Sequence, residues 1–204
     1  MLEGPVVAGV AVLPLFWYAL VMGITPGPNN LMLAASGMNF GVRRSVPHIL
    51  GVFVGFTTLA TVAALGLGAL YLAAPNLQLV SRYLGAAFLL YFAWRLAWAG
   101  GSDQGGRSTP LRFHEAALFQ IINPKGWLYA ISSASAFLSS EGFAAVAVLT
   151  VTAAVVTVIS TVTWTCFGTV LARLITSPRV RQRVNWLFAA SLLALIPLIV
   201  GDPS

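Results

Sequence analysis

Two short segments of the sequence place prolines next to amide and basic side chains inside long apolar stretches. The first is Thr25-Pro26-Gly27-Pro28-Asn29-Asn30, and the second is Asn123-Pro124-Lys125. Thr25 and Asn123 belong to the residue types that cap helices, and the proline after each favours the first helical position. Both segments therefore predict a helix N-terminus, where free N–H groups and a partial positive charge attract anions.

The charge of Lys125 strengthens this prediction at the second segment. A lysine in the middle of a membrane span costs about 2.5–3.5 kcal/mol on insertion scales, so it is expected to face water or an anion inside the protein. The carbonyls that end the preceding half-helices, near Gly23 and Ile122, could bind an ammonium. This combination indicates a site for a zwitterionic amino acid. Its predicted residues are Thr25, Pro26, Gly27, Pro28, Asn29, Asn30, Asn123, Pro124 and Lys125.

The chain as a whole has too few charged residues to cover the surface of a soluble fold. Of its 204 residues, 58% are hydrophobic and 8% are charged, and Cys166 is the single cysteine. Soluble domains are roughly 45–50% apolar and about 25% charged. The composition also excludes a disordered chain and a disulfide-stapled secreted domain. It predicts an integral membrane protein.

The gaps between charged residues divide the chain into six apolar stretches that are long enough to cross a bilayer. They cover about residues 5–40, 46–73, 77–98, 113–138, 142–171 and 184–200. The proline segments interrupt the first and the fourth stretch, so we predict that these two helices are broken near the midplane. Three spans separate the breaks, which would place the two halves in opposite orientation.

The predicted fold class is an all-α integral membrane protein with six transmembrane helices in two inverted three-helix repeats. One transporter domain covers residues 1–204, with repeat 1 at about 5–98, a polar cytoplasmic loop at about 99–112 and repeat 2 at about 113–201. Backbone that is broken at membrane depth is tolerated only inside protein or beside a wet cavity, and transporters use such breaks to bind substrates. The alternative is a simple proline kink that serves helix packing.

Membrane topology accounts for the net charge of +6 without any nucleic-acid partner. When the loops are assigned alternately to the two sides, nine of the eleven basic residues fall on one side. These nine are Arg43, Arg44, Arg95, Arg107, Arg112, Arg173, Arg179, Arg181 and Arg183. The positive-inside rule makes that side cytoplasmic and places both termini outside.

Small residues mark predicted packing seams between the helices. Gly51 and Gly55 form a Gly-xxx-Gly pair in the second stretch. A stripe in the fifth stretch consists of Thr150, Thr157, Thr161, Thr165 and Gly168. Such residues let helices approach closely, although the threonines could instead line a transport path. Exposed glycine seams would also permit a homodimer.

The middles of the predicted spans hold no acidic residue, and this predicts a neutral substrate, because a carrier of lysine or arginine should offer an acidic partner. The candidates for coupling transport to protons are His48, Glu115 and Lys125. For His48 the alternative is an ordinary interfacial histidine. His48 and His114 are the only histidines, so no metal or cofactor site is predicted.

The same segments carry a resemblance to a known family. The stretch from Thr25 to Asn30 resembles the signature of the LysE/RhtB family of amino-acid exporters. The run Arg82-Tyr83-Leu84-Gly85-Ala86-Ala87-Phe88-Leu89-Leu90-Tyr91 resembles its Gly-Ala-aromatic-Leu segment. Asn123-Pro124-Lys125-Gly126-Trp127 is similar to its Asn-Pro-Lys-Ala-Trp motif, with Gly where Ala is usual. Phe119-Gln120 before that motif resembles the branch that exports cysteine and O-acetylserine.

The resemblance implies secondary transport of amino acids or their derivatives out of the cell across a bacterial inner membrane. We therefore predict a multi-pass exporter of a small neutral amino acid that works by alternating access in the lipid bilayer. The alternatives are a membrane channel or an assembly subunit without a transport cycle, and a less favoured one is an intramembrane enzyme. A thiol-disulfide carrier would need two cysteines, and no Ser-His-Asp grouping is evident at membrane depth, so we predict that the protein is not an enzyme.

Overall fold

A computed structural model describes residues 5–99, 109–138 and 142–201 of the chain. Helices make up nearly all of these residues. They are α1 (Val12–Ile24), α2 (Pro28–Val62), α3 (Gly68–Leu72), α4 (Pro75–Ala97), α5 (Phe113–Ile121), α6 (Pro124–Phe137), α7 (Phe143–Leu174), α8 (Pro178–Ala194) and α9 (Ile196–Val200). A π-helical segment, Ala63–Leu67, joins α2 to α3. Most of the predicted polar loop, residues 100–108, lies outside the described residues.

A short antiparallel hairpin precedes the first helix. Its strands are β1 (Val6–Val7) and β2 (Val10–Ala11), and the turn between them holds Gly9 at φ 78°. The predicted first span was wrong in starting near Pro5, because helix α1 begins at Val12. Apolar residues with high strand propensity fill this segment, and hydropathy alone does not separate such a hairpin from the start of a helix.

Helix α2 is interrupted at Gly41, which has φ 73° and ψ 169°. A positive φ is readily adopted by glycine, so the chain changes direction at this residue without a longer loop. The residues before the turn, 28–40, end where the first apolar stretch of the sequence was predicted to end. Residues 42–72 then continue through the π-helical segment, where Gly66 has φ 106°.

Within the described residues, three helical stretches are long and apolar enough to cross a membrane: Pro28–Leu72, Phe143–Leu174 and Pro178–Val200. The first of these contains the turn at Gly41. Together with the composition, they fit a helical membrane protein, as predicted. The arrangement as six spans in two repeats stays a prediction and is taken up under the proposed function.

Helices α2 and α7 pack with their backbones in direct contact. A β-carbon on Gly37 would overlap the backbone of Thr165, and one on Gly168 would overlap the carbonyl of Ala34. Thr157, Thr161 and Thr165 of the same stripe are buried. The predicted seam is therefore confirmed as a packing surface around Thr165 and Gly168, where two backbones touch, whereas Thr157 and Thr161 also line the pocket described below.

A second seam holds α5 against α2. A β-carbon on Gly55 would lie 2.6 Å from the carbonyl oxygen of Ala117, and one on Gly51 would overlap the carbonyl of Phe113. This confirms the Gly-xxx-Gly pair as a close-packing motif. The contact fixes α5 against the second half of α2, and so it positions the residues that follow α5.

Candidate substrate-binding site

Both predicted helix breaks are present, and they lie side by side. The first separates Ile24, the last residue of α1, from Pro28, the first residue of α2. The second separates Ile121 of α5 from Pro124 of α6. Residues at both breaks line one pocket with an empty volume of about 540 Å³, its open mouth included. The structure thus unites two sequence segments that lie about a hundred residues apart.

Most of the predicted binding residues line this pocket. From the two motifs it takes Gly27, Pro28, Asn29, Asn30, Asn123 and Lys125. Thr25 and Pro26 adjoin the pocket and contribute backbone carbonyls that bind Lys125. Pro124 begins α6 without lining the pocket. The other lining residues are Met22, Gly23, Val52, Phe56, Gly126, Tyr129, Val156, Thr157, Ser160 and Thr161.

The predicted N-cap position is confirmed at the second break, although the Asn123 side chain makes no capping hydrogen bond there, and it is wrong at the first break. Asn123 occupies the N-cap position of α6, with Pro124 as the first helical residue. At the first break, however, Gly27 is the N-cap and Pro28 is the first helical residue. Thr25 instead ends α1, since its Oγ1 donates to the Val21 carbonyl at 2.5 Å. The motif contains two prolines that suit a helix start, and the local sequence does not decide between them.

The Asn30 side chain forms hydrogen bonds with the end of α1. Its Nδ2 donates to the carbonyls of Gly23 at 2.8 Å and Thr25 at 2.9 Å. Ser160 of α7 places its Oγ 2.8 Å from the same Gly23 carbonyl and 3.2 Å from Asn30 Oδ1. The carbonyl of Gly23, which was predicted to receive a substrate ammonium, is therefore already bonded to two side chains of the protein.

The Asn29 side chain forms hydrogen bonds with α5. Its Nδ2 donates to Gln120 Oε1 at 2.8 Å, and Gln120 Nε2 donates back to Asn29 Oδ1 at 3.1 Å. Gln120 is fully buried and also donates to the Ala116 carbonyl at 2.8 Å. The Asn29 side chain thus positions the first break against α5. The group of Asn29 that remains for a ligand in the pocket is mainly its backbone N–H.

Lys125 connects the second break to the first. Its Nζ lies 2.6 Å from the Thr25 carbonyl oxygen and 3.4 Å from that of Pro26. The side chain passes directly over Gly27, where a β-carbon would lie 2.8 Å from Lys125 Cδ. An ammonium carries three N–H donors, so one remains for a ligand after these two contacts.

Among the residues that line the pocket, Asn123 holds a buried amide oxygen without a hydrogen-bond partner. The residue is 3% exposed and lines the pocket, and its Oδ1 has no hydrogen-bond partner among the described residues. Since buried polar atoms are normally paired, such an oxygen indicates a position for a ligand.

Backbone donors complete this site. The first backbone hydrogen bond of α2 runs from Leu31 N–H to the Gly27 carbonyl at 3.0 Å. The N–H groups of Asn29 and Asn30 therefore belong to the unpaired first turn of a helix, and both residues line the pocket. Together with Lys125 they can hold an anion, while Asn123 Oδ1 can accept a proton donor.

Two of the three predicted coupling residues lie away from the pocket. His48 is fully buried and pairs its Nδ1 with Ser36 Oγ at 2.9 Å, so it is not an exposed interfacial histidine. Glu115 accepts the Arg112 backbone N–H at 2.7 Å and lies 3.5 Å from Arg95 Nη1. It closes the first turn of α5 and pairs with α4. Lys125 alone of the three lines the pocket.

Several contributors were not identified from the sequence. Gln120 precedes Asn123 by three residues, and a polar residue one turn before a helix break was an available signal. Ser160 lies among the polar residues of α7 but outside the stripe that was singled out. Phe56 and Tyr129, whose ring centroids are 4.9 Å apart, gave no signal, because aromatic residues in apolar spans usually serve packing.

The comparisons with known proteins agree with the resemblance carried by these motifs. The chain is 31% identical over 124 residues to the cysteine/O-acetylserine efflux protein of Salmonella typhimurium strain LT2, which is 60% of this chain and 64% of that protein. The match therefore spans less than two thirds of that relative's length. The protein of the same name from Escherichia coli strain K12 is 27% identical over 162 residues, which is 78% of this chain and 83% of that protein.

No solved structure matches this chain. The family model described as LysE type translocator matches residues 20–200, which contain both helix breaks and every residue that lines the pocket. Because this match covers most of the sequence, the chain belongs to the LysE type translocator family.

Proposed function

We propose that the protein is a secondary transporter that exports a small neutral amino acid, or a derivative of one, across the bacterial inner membrane. The pocket between the two helix breaks carries this proposal. It combines one lysine, two helix N-terminal N–H groups and one unpaired amide oxygen, and none of its lining residues is acidic. These groups suit the two charged ends of an amino acid and leave no partner for a further positive charge.

In this binding mode the carboxylate contacts Lys125 Nζ and the N–H groups of Asn29 and Asn30. The ammonium contacts Asn123 Oδ1. The substrate side chain then faces Met22, Phe56, Tyr129 and Val156, which line the remainder of the pocket. Cysteine and O-acetylserine, named in the relatives, are neutral and small, and we propose them as the first candidates.

The proposed topology has six spans in two inverted repeats, with both termini outside. In the first repeat α1 and residues 28–40 form span one, residues 42–72 span two and α4 span three. In the second repeat α5 and α6 form span four, α7 span five, and α8 with α9 span six. Two connections between the breaks support this pairing, namely Lys125 with the end of α1 and Asn29 with Gln120. Such breaks lie at the repeat interface of transporters that work by alternating access.

We propose Lys125 as the group through which transport is coupled, because it lines the pocket and contacts the other break. His48 is a second candidate, since it is buried and its Nε2 has no partner among the described residues. Glu115 is the least favoured of the three, because its carboxylate is already bonded at the start of α5.

Counterflow in proteoliposomes tests the proposed function. We expect vesicles preloaded with unlabelled cysteine or O-acetylserine to accumulate the same labelled amino acid transiently above its outside concentration. Threonine, homoserine, leucine and lysine complete the panel, and lysine should be transported at least about tenfold more slowly than the best neutral substrate, because its side chain finds no anion. A channel would give no accumulation. Equal transport of lysine would refute the neutral-substrate proposal.

Replacing Asn123 with alanine should separate binding from stability. The Asn123 side chain does not cap α6, and its Oδ1 has no hydrogen-bond partner among the described residues, so its loss should change the free energy of unfolding by less than about 1 kcal/mol. Substrate affinity should fall about tenfold or more, because the ammonium loses its acceptor. Binding by calorimetry and thermal unfolding in detergent measure the two effects.

Asn30→Ala is the matched comparison for that experiment. It removes two bonds to carbonyls at the end of α1 and one contact with Ser160, so it should destabilise the protein by about 1–3 kcal/mol. If Asn123→Ala proved the more destabilising of the two, Asn123 would have a structural role and the proposed ammonium site would be wrong.

A further inference from the structure

The full charge in the pocket lining is positive, so it attracts an anionic group of a ligand. Lys125 is its one charged lining residue, and the N–H groups of Asn29 and Asn30 add two further donors. Hydrogen bonds in which one partner is ionised are roughly twice as strong as neutral ones. A carboxylate is therefore the part of a substrate that these residues recognise most strongly.

Carbonyl acceptors for a substrate ammonium are few, because the protein uses the carbonyls at the end of α1 itself. Gly23 O is bonded to Asn30 and Ser160, and Thr25 O to Asn30 and Lys125. Ile24 O accepts the Trp164 indole N–H at 3.1 Å. These bonds leave Asn123 Oδ1 as the unpaired buried acceptor in the pocket lining.

An amide oxygen does not require a charged partner. It accepts a hydrogen bond from a hydroxyl as well as from an ammonium, and no carboxylate lines the pocket to favour the charged donor. Exchanging the ammonium of an amino acid for a hydroxyl keeps the hydrogen bond to Asn123 Oδ1, and the weaker neutral bond is offset because a hydroxyl costs less than an ammonium to remove from water. Exchanging its carboxylate for hydrogen gives up the contacts with Lys125 and α2.

We infer that the pocket also binds and exports small 2-hydroxy acids, in which a hydroxyl replaces the α-amino group, and that it rejects amines without a carboxylate. This inference rests on the proposed function, because it concerns the same pocket. The neighbouring rings of Phe56 and Tyr129 restrict it to short side chains.

Matched sets of ligands test this inference on the purified full-length protein. One set is L-cysteine, its 2-hydroxy analogue 3-mercaptolactate and its decarboxylated analogue cysteamine, kept reduced. The other is L-serine, L-glycerate and ethanolamine. We expect each hydroxy acid to bind within about tenfold of its amino acid, which is the range of one neutral hydrogen bond, and each amine to bind at least about 100-fold more weakly.

The outcomes distinguish this inference from the proposed function. Binding of the amino acids with no binding of the hydroxy acids would overturn the inference and leave amino-acid export in place. Amines that bind as well as the amino acids would overturn it too. Binding of the hydroxy acids alone would support the inference and contradict amino-acid export, while no binding of any ligand would contradict both.

Asn123→Asp provides a reciprocal test, because it places a carboxylate where the amide oxygen lies. The variant should favour amino acid over hydroxy acid by at least about tenfold more than the wild type does, and it should begin to bind the amines. An unchanged preference would show that Asn123 does not contact this end of the ligand, and would overturn the inference. Gly142→Ala is the control, since a β-carbon there meets no atom of the described residues within 4 Å.

Discussion

Replacement of Lys125 with methionine is expected to abolish transport while the protein stays folded in the membrane. The ammonium supplies the only full charge in the pocket lining, and a charged hydrogen bond contributes about 1.5–3 kcal/mol. Its loss, together with the lost attraction for the carboxylate, should lower substrate affinity by about 100-fold or more. Methionine fills a similar length of the groove over Gly27 without the charge.

The fold should survive this change because the end of α1 keeps other partners. The Thr25 carbonyl still accepts the Asn30 amide at 2.9 Å, and the Gly23 carbonyl still accepts Asn30 and Ser160. Removing a lysine from a span also makes insertion about 2.5–3.5 kcal/mol easier on insertion scales. Size-exclusion profiles should therefore match the wild type, and counterflow should fall to the level of empty vesicles.

A matched control and a chemical probe sharpen this prediction. Arg82→Met removes a cation that does not line the pocket, and it should retain transport. Lys125 is the sole lysine of the sequence, so acylation of an amine on the peptide that contains it reports on this site alone. Substrate should protect Lys125 from acylation. Normal counterflow by Lys125→Met, or acylation unaffected by substrate, would remove Lys125 from the proposed site.

Replacement of Gly168 with leucine should have the largest effect on stability. A β-carbon at this position already overlaps the Ala34 carbonyl, so a larger side chain must push α7 away from α2. Overpacking of a tight interface costs about 1–3 kcal/mol and sometimes more, and this interface leaves no flexible side chain to move aside. We expect little folded protein, measured by size-exclusion yield and by thermal unfolding in detergent.

Gly142→Leu is the control, at the N-cap of the same helix. Gly142 has an extended backbone, and a β-carbon there would contact none of the described residues, so the substitution should cost no more than about 1 kcal/mol. Equal yields of Gly168→Leu and Gly142→Leu would mean that α2 and α7 do not touch at Gly168.

Local sequence chemistry predicted the breaks, whereas it did not predict what holds them. Proline acts on its own helix, so the predicted first helical residue was correct at Pro124 of α6, and Pro26 lay two residues before the actual start of α2 at Pro28. Asn29 and Asn30 form side-chain hydrogen bonds with Gln120 and Ser160, which are distant in sequence. A single sequence carries no signal for such partners, so all three asparagines looked equally free to bind a substrate.

Hydropathy predicted the membrane class for a related reason, and it was wrong about the N-terminal hairpin. Average composition depends on the surroundings of the whole chain, and 8% charge is decisive at that scale. Whether residues 6–11 form a strand or a helix depends on a few torsion angles, such as that of Gly9 at φ 78°. The complete burial of His48 was equally hidden, because it results from how the segments around the turn at Gly41 pack.

The reciprocal bond between Asn29 and Gln120 constrains how this sequence can diverge. A mutation at Asn29 leaves the buried amide of Gln120 without this partner, at a cost of about 1–3 kcal/mol, and a mutation at Gln120 leaves the half-buried Asn29 amide unpaired. Lineages that lose the asparagine are therefore expected to lose the glutamine as well, and to replace the two together by a complementary pair. The two helix breaks are thus expected to evolve together, although they are encoded in opposite halves of the gene.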